Sequence, residues 1–260
     1  MGSMTATHEA SPTLDPEELE RFRRMAEDWW NATGKFRPLH QIGPARIGFT
    51  RDEAVRHFGR DGRSLRPLEG LKLVDIGCGG GLVSEPMARL GAKVTGIAPT
   101  ARNIEIAKLH AAQSGVQIDY RSVVAESLAE AGEQFDIVLC LEVVEHVPDV
   151  GQFVRVLRQL LAPGGLLIVS TLNRTLKSYA LAIVGAEYIL RWLPRGTHRW
   201  DRFVTPDELR GHIEAAGLLQ REIRGMVYNP LTDVWSLGRD TDVNYLVAAV
   251  EPGSLSSPTQ

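Results

Sequence analysis

Leu73-Val74-Asp75-Ile76-Gly77-Cys78-Gly79-Gly80-Gly81-Leu82 joins a buried strand to a glycine-rich turn. Apolar residues around a single acid are typical of the end of a buried parallel strand. The glycines that follow let the backbone turn sharply into a helix, which we expect to begin near Val83. A ligand can therefore approach the main chain closely at this turn.

Two cofactor classes use a strand, glycine turn and helix of this kind, and the glycine spacing excludes both. A dinucleotide fingerprint fails because its third glycine falls on Leu82, and a P-loop fails because no Lys-Ser/Thr follows Gly81. The remaining pattern, Asp75-x-Gly77-x-Gly79-x-Gly81, places an acid where it can accept hydrogen bonds from a cationic amino group. This pattern resembles motif I of class I methyltransferases, which bind S-adenosylmethionine. A tight structural turn in another α/β protein is the alternative.

Composition limits the functions that the chain can have. Its 260 residues are 43% hydrophobic and 23% charged, which is enough for one sizeable domain with additions. The net charge of -3 gives no reason to expect nucleic acid as a partner. Two cysteines, Cys78 and Cys140, make no disulfide framework, and no signal peptide pattern is present. We therefore expect a cytoplasmic protein.

The chain divides into a predicted cap, a main domain and two tails. Residues 1–14, which begin with what resembles a tag remnant, and residues 252–260 are polar and expected to be disordered. Residues 15–66 are predicted to form an N-terminal helical cap. Residues 67–251 are predicted to form the main domain, and they contain an inserted apolar and basic segment at 174–200.

Strands and helices alternate from residue 71 onwards. The predicted strands cover residues 71–76, 92–97, 117–121, 135–141, 165–171, 220–228 and 243–250. The predicted helices lie near residues 83–90, 101–114, 126–131, 149–161 and 206–216. This order implies an α/β fold with a mostly parallel sheet and helices on both faces. Together with motif I, the seven predicted strands resemble the Rossmann-like fold of class I methyltransferases, and this resemblance implies that the final two strands form a hairpin-like pair. Ligands in such sheets bind at the carboxyl ends of the strands.

The predicted cap contains two helices and an aromatic segment between them. The first helix is expected from Asp15 to about Asn31, and the second from about Ile47 to Phe58 with Arg46 at its start. The segment at 29–40 is aromatic and basic and has neither helical nor strand periodicity. It is either a lid over the site or aromatic packing on the sheet edge, and packing is the first expectation.

We expect Leu141, at the end of the fourth predicted strand, to line the adenine side of a bound nucleoside. Two acidic residues and a histidine follow it. Glu142, Glu145 and His146 form an E-x-x-E-H group. On a helical turn these positions share one face, so two carboxylates and an imidazole could bind a divalent cation that lowers the pKa of a catechol oxygen. Alternatively, Glu145 caps a helix and His146 orients or packs under the cofactor. The spacing alone leaves both interpretations open.

The segment at 174–200 interrupts the alternation of strands and helices. Its central part, 178–194, is apolar on most faces but too short to span a bilayer, and basic residues flank it. An apolar face with aromatic residues and a cationic border suits an interfacial helix on anionic lipid. The segment could equally form a lid over a substrate pocket or a dimer contact.

Together these motifs resemble the ubiquinone biosynthesis O-methyltransferases over about residues 18–250. The stretches that carry the resemblance are Trp29-Trp30, Phe36-x-Pro38-Leu39-His40, Asp75 to Gly81, Glu142 to Asp149, Ser170 to Arg174, Val184 to Leu190 and Asp242 to Tyr245. The Leu161-x-Pro163-Gly164-Gly165 turn resembles a frequent companion of motif I in methyltransferases generally. The resemblance implies S-adenosylmethionine as cofactor, and methylation of ring hydroxyls of a 2-polyprenyl-6-hydroxyphenol and a 3-demethylubiquinol. It also implies peripheral contact with the membrane and other ubiquinone-biosynthesis proteins as partners.

The resemblance further implies roles for individual residues. It implies magnesium or a similar ion on Glu142, Glu145 and His146, the residues we expect to be catalytic, with His146 as the base if no metal binds. The cofactor contacts that it implies are Arg46, Gly77, the residue at 98 and Leu141, beside Asp75 and Gly79 of the glycine turn.

The chain departs from the family pattern at position 98. An Asp that binds both ribose hydroxyls is expected after Val94-Thr95-Gly96-Ile97, but Ala98 stands there. Losing a charge-assisted hydrogen bond costs about 1.5–3 kcal/mol. We therefore expect an intact fold with weakened cofactor binding. Two rival functions remain, a methyltransferase acting on another lipid or small molecule and a non-catalytic assembly subunit.

Overall fold

The computed structural model describes residues 28–34, 36–179, 200–229 and 231–252. Most of the helix predicted from Asp15, nearly all of both predicted tails and residues 180–199 of the inserted segment lie outside these ranges.

A single sheet of eight strands forms the centre of the described structure. In chain order the strands are β1 (Lys72–Ile76), β2 (Lys93–Ile97), β3 (Asp119–Arg121), β4 (Phe135–Leu141), β5 (Leu161–Leu172), β6 (Leu219–Asn229), β7 (Val234–Gly238) and β8 (Asn244–Val250). Their order across the sheet is β3-β2-β1-β4-β5-β8-β6-β7. Strands β1 to β5 pair in parallel, whereas β8 is antiparallel to β5 and β6, and β7 is antiparallel to β6.

Helices pack on both faces of this sheet. They are α1 (Arg37–His57), α2 (Ser84–Arg89), α3 (Ala101–Gln113), α4 (Ala125–Glu130), α5 (Val150–Gln159), the single turn α6 (Leu176–Ser178) and α7 (Pro206–Ala215). Helices α4, α5 and α7 share a hydrophobic core with Val74 and Ile76, while α1 and α2 share another with Leu73. Both faces of β1 are therefore buried, which explains its nearly continuous apolar sequence.

These observations confirm the predicted fold class but correct the strand count from seven to eight. The additional strand, β7, lies at the edge of the sheet and, among the described residues, pairs with Gly225 to Asn229 of β6. Most of its side chains are exposed, so it lacks the apolar run that identifies a central strand.

The start of α1 also differs from the prediction. The helix begins at Arg37 instead of near Ile47, contains Pro44 and places Arg46 in its interior. Pro38 occupies its first turn, where a missing amide hydrogen removes no hydrogen bond. Because α1 packs into the same core as the sheet, it brings Arg46 to the central strands. The division of the chain into a cap and a main domain stays a prediction.

Candidate active site

The glycine turn after β1 has a backbone that only glycine adopts easily. Gly77, Gly79 and Gly81 have φ angles of 75°, 55° and 90°. A Cβ atom at Gly77 would lie 2.6 Å from Cγ2 of Val143, and one at Gly79 would lie 2.8 Å from the ring of Trp29. The turn is therefore both conformationally constrained and closely covered.

The aromatic segment before α1 provides part of that cover. Trp29 packs on Gly79 and Gly80, and Trp30 Nε1 donates a hydrogen bond to the Gly80 carbonyl at 3.0 Å. The Trp30 ring also stacks on His110 of α3, with centroids 3.6 Å apart and planes 3° apart. The sequence left two alternatives for this segment, a lid over the site and aromatic packing on the sheet edge. The observed contacts are aromatic packing, and they lie on the glycine turn and on His110.

Asp75 lies at the end of β1 and is buried, with 3% of its surface exposed. Ser84, the first residue of α2, donates a hydrogen bond from Oγ to Asp75 Oδ2 at 2.6 Å. Burial raises the pKa of Asp75 to about 6, while this hydrogen bond and the positive charge of Arg46 act in the opposite direction. The acid is thus fixed beneath the turn.

Arg46, which is buried, and Glu142, which is half-buried, form an ion pair at the same edge of the sheet. The Arg46 side chain is 9% exposed, and its NH2 lies 2.8 Å from Glu142 Oε1. Ser170 of β5 donates to the same Oε1 from its Oγ, also at 2.8 Å. Among the residues that the structure describes, Arg46 Nε has no hydrogen-bond partner although it is buried. One nitrogen of this guanidinium is therefore left to meet an acceptor.

Glu145 and His146 lie on a 3₁₀ turn that covers Val144–His146. Glu145 is buried and accepts a hydrogen bond from Thr171 Oγ1 at 2.9 Å, whereas His146 is exposed. Burial, and next the negative charge of Glu142, raise the pKa of Glu145 to about 8. A neutral carboxyl group is therefore favoured at position 145 near pH 7.

Glu142, Glu145 and His146 do not lie on one α-helical turn, although the side chains of Glu142 and Glu145 are close enough to interact. Glu142 has a φ of 56°, and the turn that follows is 3₁₀, so the spacing of an α-helix does not apply. The described ranges contain no group of three or more His, Cys, Asp or Glu side chains placed to bind a metal. With Glu142 paired to Arg46 and Glu145 buried, these residues do not fit the predicted metal site.

Ala98 and Leu141 complete the predicted cofactor residues. The carbonyl of Ile97 accepts hydrogen bonds from the amides of Gly77 and Cys78, so Ala98 follows directly beside the glycine turn. Ala98 is 2% exposed and packs in a small cluster with Cys78 and Tyr120. Leu141 ends β4 and is half-buried at the same edge. Both predicted positions thus lie at the carboxyl ends of the central strands.

Sequence reasoning gave no role to Ser84, Ser170 or Thr171, each of which bonds an acid of the site. A signal for two of them existed, because Ser170 and Thr171 are adjacent polar residues at the end of a buried apolar strand. The partner of Arg46 left no signal, since Glu142 lies 96 positions further along the chain.

Only the ends of the inserted segment are described. Arg174 pairs with Glu208, and Lys177 pairs with Asp240 and Asp242, so both cations already have acidic partners. Leu176 is 82% exposed. Within the part of the chain that the structure covers, no helix combines the length and the apolar character needed to cross a membrane.

Comparison with known proteins identifies the family. Residues 49–220 match a methyltransferase domain family. A ubiquinone biosynthesis O-methyltransferase from Azorhizobium caulinodans is 58% identical over 92% of this chain and 94% of its own length, and one from Chelativorans sp. is 57% identical over 92% and 95%. Magnesium protoporphyrin IX methyltransferase from Synechocystis, solved with bound SAH, shares the fold with a TM-score of 0.59 and 22% identity over 91% of this chain and 95% of that one. The chain belongs to the ubiquinone biosynthesis O-methyltransferase family.

Proposed function

We propose that this chain methylates ring hydroxyls of a 2-polyprenyl-6-hydroxyphenol and of a 3-demethylubiquinol. It is an S-adenosylmethionine-dependent O-methyltransferase, in keeping with close relatives named for ubiquinone biosynthesis. The observation that carries the proposal is the buried Arg46, whose Nε lacks a partner among the described residues, beside a turn that only glycines can form. The names of the relatives, which refer to O-methylation in ubiquinone biosynthesis, support the same proposal.

The residues at the carboxyl edge of the sheet fit the two ends of the cofactor's amino acid group. The Arg46 guanidinium matches a carboxylate, and Asp75 can accept hydrogen bonds from an ammonium group. Gly77 and Gly79 carry no side chain, so the main chain of the turn can lie against a ligand; in the described structure Val143 and Trp29 pack against these two glycines. The bound cofactor supplies an electrophilic methyl group on a sulfonium.

The chain itself has to hold the acceptor hydroxyl in line with that methyl group and to receive its proton. Holding two reactants in line within a water-poor pocket provides much of the rate in transfers of this kind. We propose His146 as the proton acceptor, because it is exposed at the end of β4 while Glu145 is buried and favours its neutral form. The described residues do not fit the predicted divalent cation, so the proposed proton transfer does not involve one.

We also propose peripheral contact with an anionic membrane on the cytoplasmic side, where a polyprenylated substrate would be taken up. Leu176 and Tyr179 are 82% and 46% exposed at the start of the inserted segment, which supports contact with hydrocarbon. The pairing of Arg174 and Lys177 with acids of this chain leaves fewer cations for lipid headgroups.

The test is methyl transfer by the purified protein to a short-chain prenylated catechol, followed by mass spectrometry of the product. We expect one added methyl group on a ring oxygen, and a rate that falls about 10²-fold or more in His146→Gln because its proton acceptor is lost. Vesicles of anionic lipid should increase turnover of a long-chain substrate. Binding of S-adenosylhomocysteine without any transfer would instead favour the non-catalytic subunit.

A further inference from the structure

We infer that Glu142 is a positioning residue for the cofactor, acting through Arg46, and is not a metal ligand. The inference rests on the proposed function, because it assumes that S-adenosylmethionine binds at the glycine turn. The family resemblance implies a cation on Glu142.

The position of Arg46 requires a partner that holds it. Arg46 extends from the interior of α1 into the carboxyl edge of the sheet, and its described ion pair is the one with Glu142 at 2.8 Å. A guanidinium on a flexible stem has several rotamers, and a carboxylate at hydrogen-bond distance selects one of them. In that rotamer Nε is buried and has no hydrogen-bond partner among the described residues. A buried donor without a partner is unfavourable, and a ligand that accepts a hydrogen bond removes this cost.

Glu142 is itself held in place. Its Oε1 accepts a hydrogen bond from Ser170 Oγ and forms an ion pair with Arg46 NH2. Its backbone has a φ of 56°, a left-handed conformation that a non-glycine residue keeps when its surroundings require it. Ser170, Glu142 and Arg46 therefore form a chain of contacts that leads from β5 to the guanidinium.

A cation on Glu142 would conflict with this arrangement. It would compete with Arg46 for the same carboxylate and bring a double positive charge beside a buried guanidinium. A carboxylate ligand has the opposite effect, because Arg46 can keep its bond to Glu142 through NH2 and use Nε for the ligand. The geometry thus favours the carboxylate end of an amino acid over a metal ion.

Calorimetric titration with S-adenosylhomocysteine in the presence of EDTA tests this assignment. We expect Glu142→Gln to weaken binding about tenfold, because the amide loses the charge that holds Arg46. We also expect Arg46→Gln to weaken binding, and the double variant to bind no more weakly than Arg46→Gln alone, since both changes remove one arrangement. If Glu142 acted only as a metal ligand, Glu142→Gln would not change the affinity for S-adenosylhomocysteine in EDTA.

Glu53→Gln is the matched control. Glu53 also lies on α1, is buried and pairs with an arginine, since its Oε1 is 2.8 Å from Arg56 NH1. Glu53 lies outside the site, so we expect the Glu53→Gln protein to bind S-adenosylhomocysteine with unchanged affinity. Thermal unfolding of each variant separates loss of fold from loss of affinity. If Glu142→Gln does not fold, Ser170→Ala removes the other bond to Glu142 and should weaken binding to a smaller extent.

The failures of the two proposals can be distinguished. Unchanged affinity of a folded Glu142→Gln protein, or additive losses in the double variant, would overturn this inference alone. If wild-type affinity is too low to measure, the same series in the Ala98→Asp background applies. Absence of binding to both the wild-type chain and Ala98→Asp would overturn the proposed function and this inference together.

Discussion

Ala98 offers no side chain that can accept hydrogen bonds from a ribose, although it lies beside the glycine turn. We predict that Ala98→Asp tightens binding of S-adenosylhomocysteine roughly tenfold to a few hundredfold. The reason is that a charge-assisted hydrogen bond contributes about 1.5–3 kcal/mol, and each 1.4 kcal/mol corresponds to a factor of about ten. Calorimetric titration of both proteins measures the change.

The same substitution should lower the stability of the free protein. Ala98 packs with Cys78 and Tyr120 and is almost fully buried, so a carboxylate there loses hydration until the ligand binds. Ala98→Asn, which lacks the charge, is the control and should tighten binding less. Equal affinity of the wild-type chain and Ala98→Asp would show that the ribose is held by other groups.

Glu145 gives a prediction about pH. Its pKa in the folded chain is raised from 4.5 to about 8, mainly by burial, so the folded state keeps a proton that the unfolded state releases. Unfolding therefore releases a proton between these two values, and the free energy of unfolding must fall as pH rises from about 4.5 to about 8. Glu145→Gln cannot ionise, so its free energy of unfolding should fall less over this range.

Urea denaturation at several pH values checks the slope. Asp75, with a pKa of about 6, adds a slope of the same sign at lower pH in both proteins, so the comparison is clearest between pH 6 and 8. Parallel curves for wild type and Glu145→Gln in that window would mean that Glu145 ionises near its ordinary pKa.

At the level of single residues, the sequence predicted where the site lies better than how its residues pair. The glycines and Asp75 were predictable because a strand that turns through glycines has few chemical uses. The pairing of Arg46 with Glu142 was not, because it depends on how α1 packs over the sheet. The assumed helical spacing does not hold at Glu142, where the backbone is left-handed.

Among the larger elements, the aromatic segment at residues 28–34 links α1 to the glycine turn and α3. We predict that Trp30→Phe weakens S-adenosylhomocysteine binding about threefold to tenfold, because it removes the hydrogen bond that fixes Gly80 while keeping an aromatic ring on His110. Calorimetric titration gives the affinity. Trp235→Phe is the matched control, because the Trp235 indole nitrogen has no partner among the described residues.

β7 and the first half of α1 were not predicted from the sequence, and both omissions have the same physical cause. Neither shows a clear apolar period, and both are fixed by contacts with each other. Asp233, in the turn before β7, bonds Arg37 at 2.6 Å and Gln41 at 2.8 Å, both on α1. Such polar contacts between distant segments leave no pattern in the sequence.

For the whole molecule, the order of strands and helices could be predicted because each central strand is buried on both faces and reads as an apolar run. The hairpin-like pairing of the final strands was implied only by the resemblance to class I methyltransferases, since periodicity does not give strand direction. What the sequence left open is whether α1 belongs to a separate cap. Its side chains share a core with Leu73 and Met87, and His57 Nε2 lies 2.7 Å from the Gly164 carbonyl.

These contacts predict how the whole chain responds to its ligand. The site draws Arg46 from α1, Asp75 from β1 and Glu142 from the end of β4, so a bound ligand stabilises the fold as one unit. At a ligand concentration 100 times Kd, the gain is about 2.7 kcal/mol, which for a domain of this size raises Tm by roughly 5–10 °C. Differential scanning calorimetry with S-adenosylhomocysteine should therefore show one transition that moves upward as a whole. Two transitions, of which only one moves, would mean that α1 and the sheet unfold separately and that the predicted cap is an independent unit.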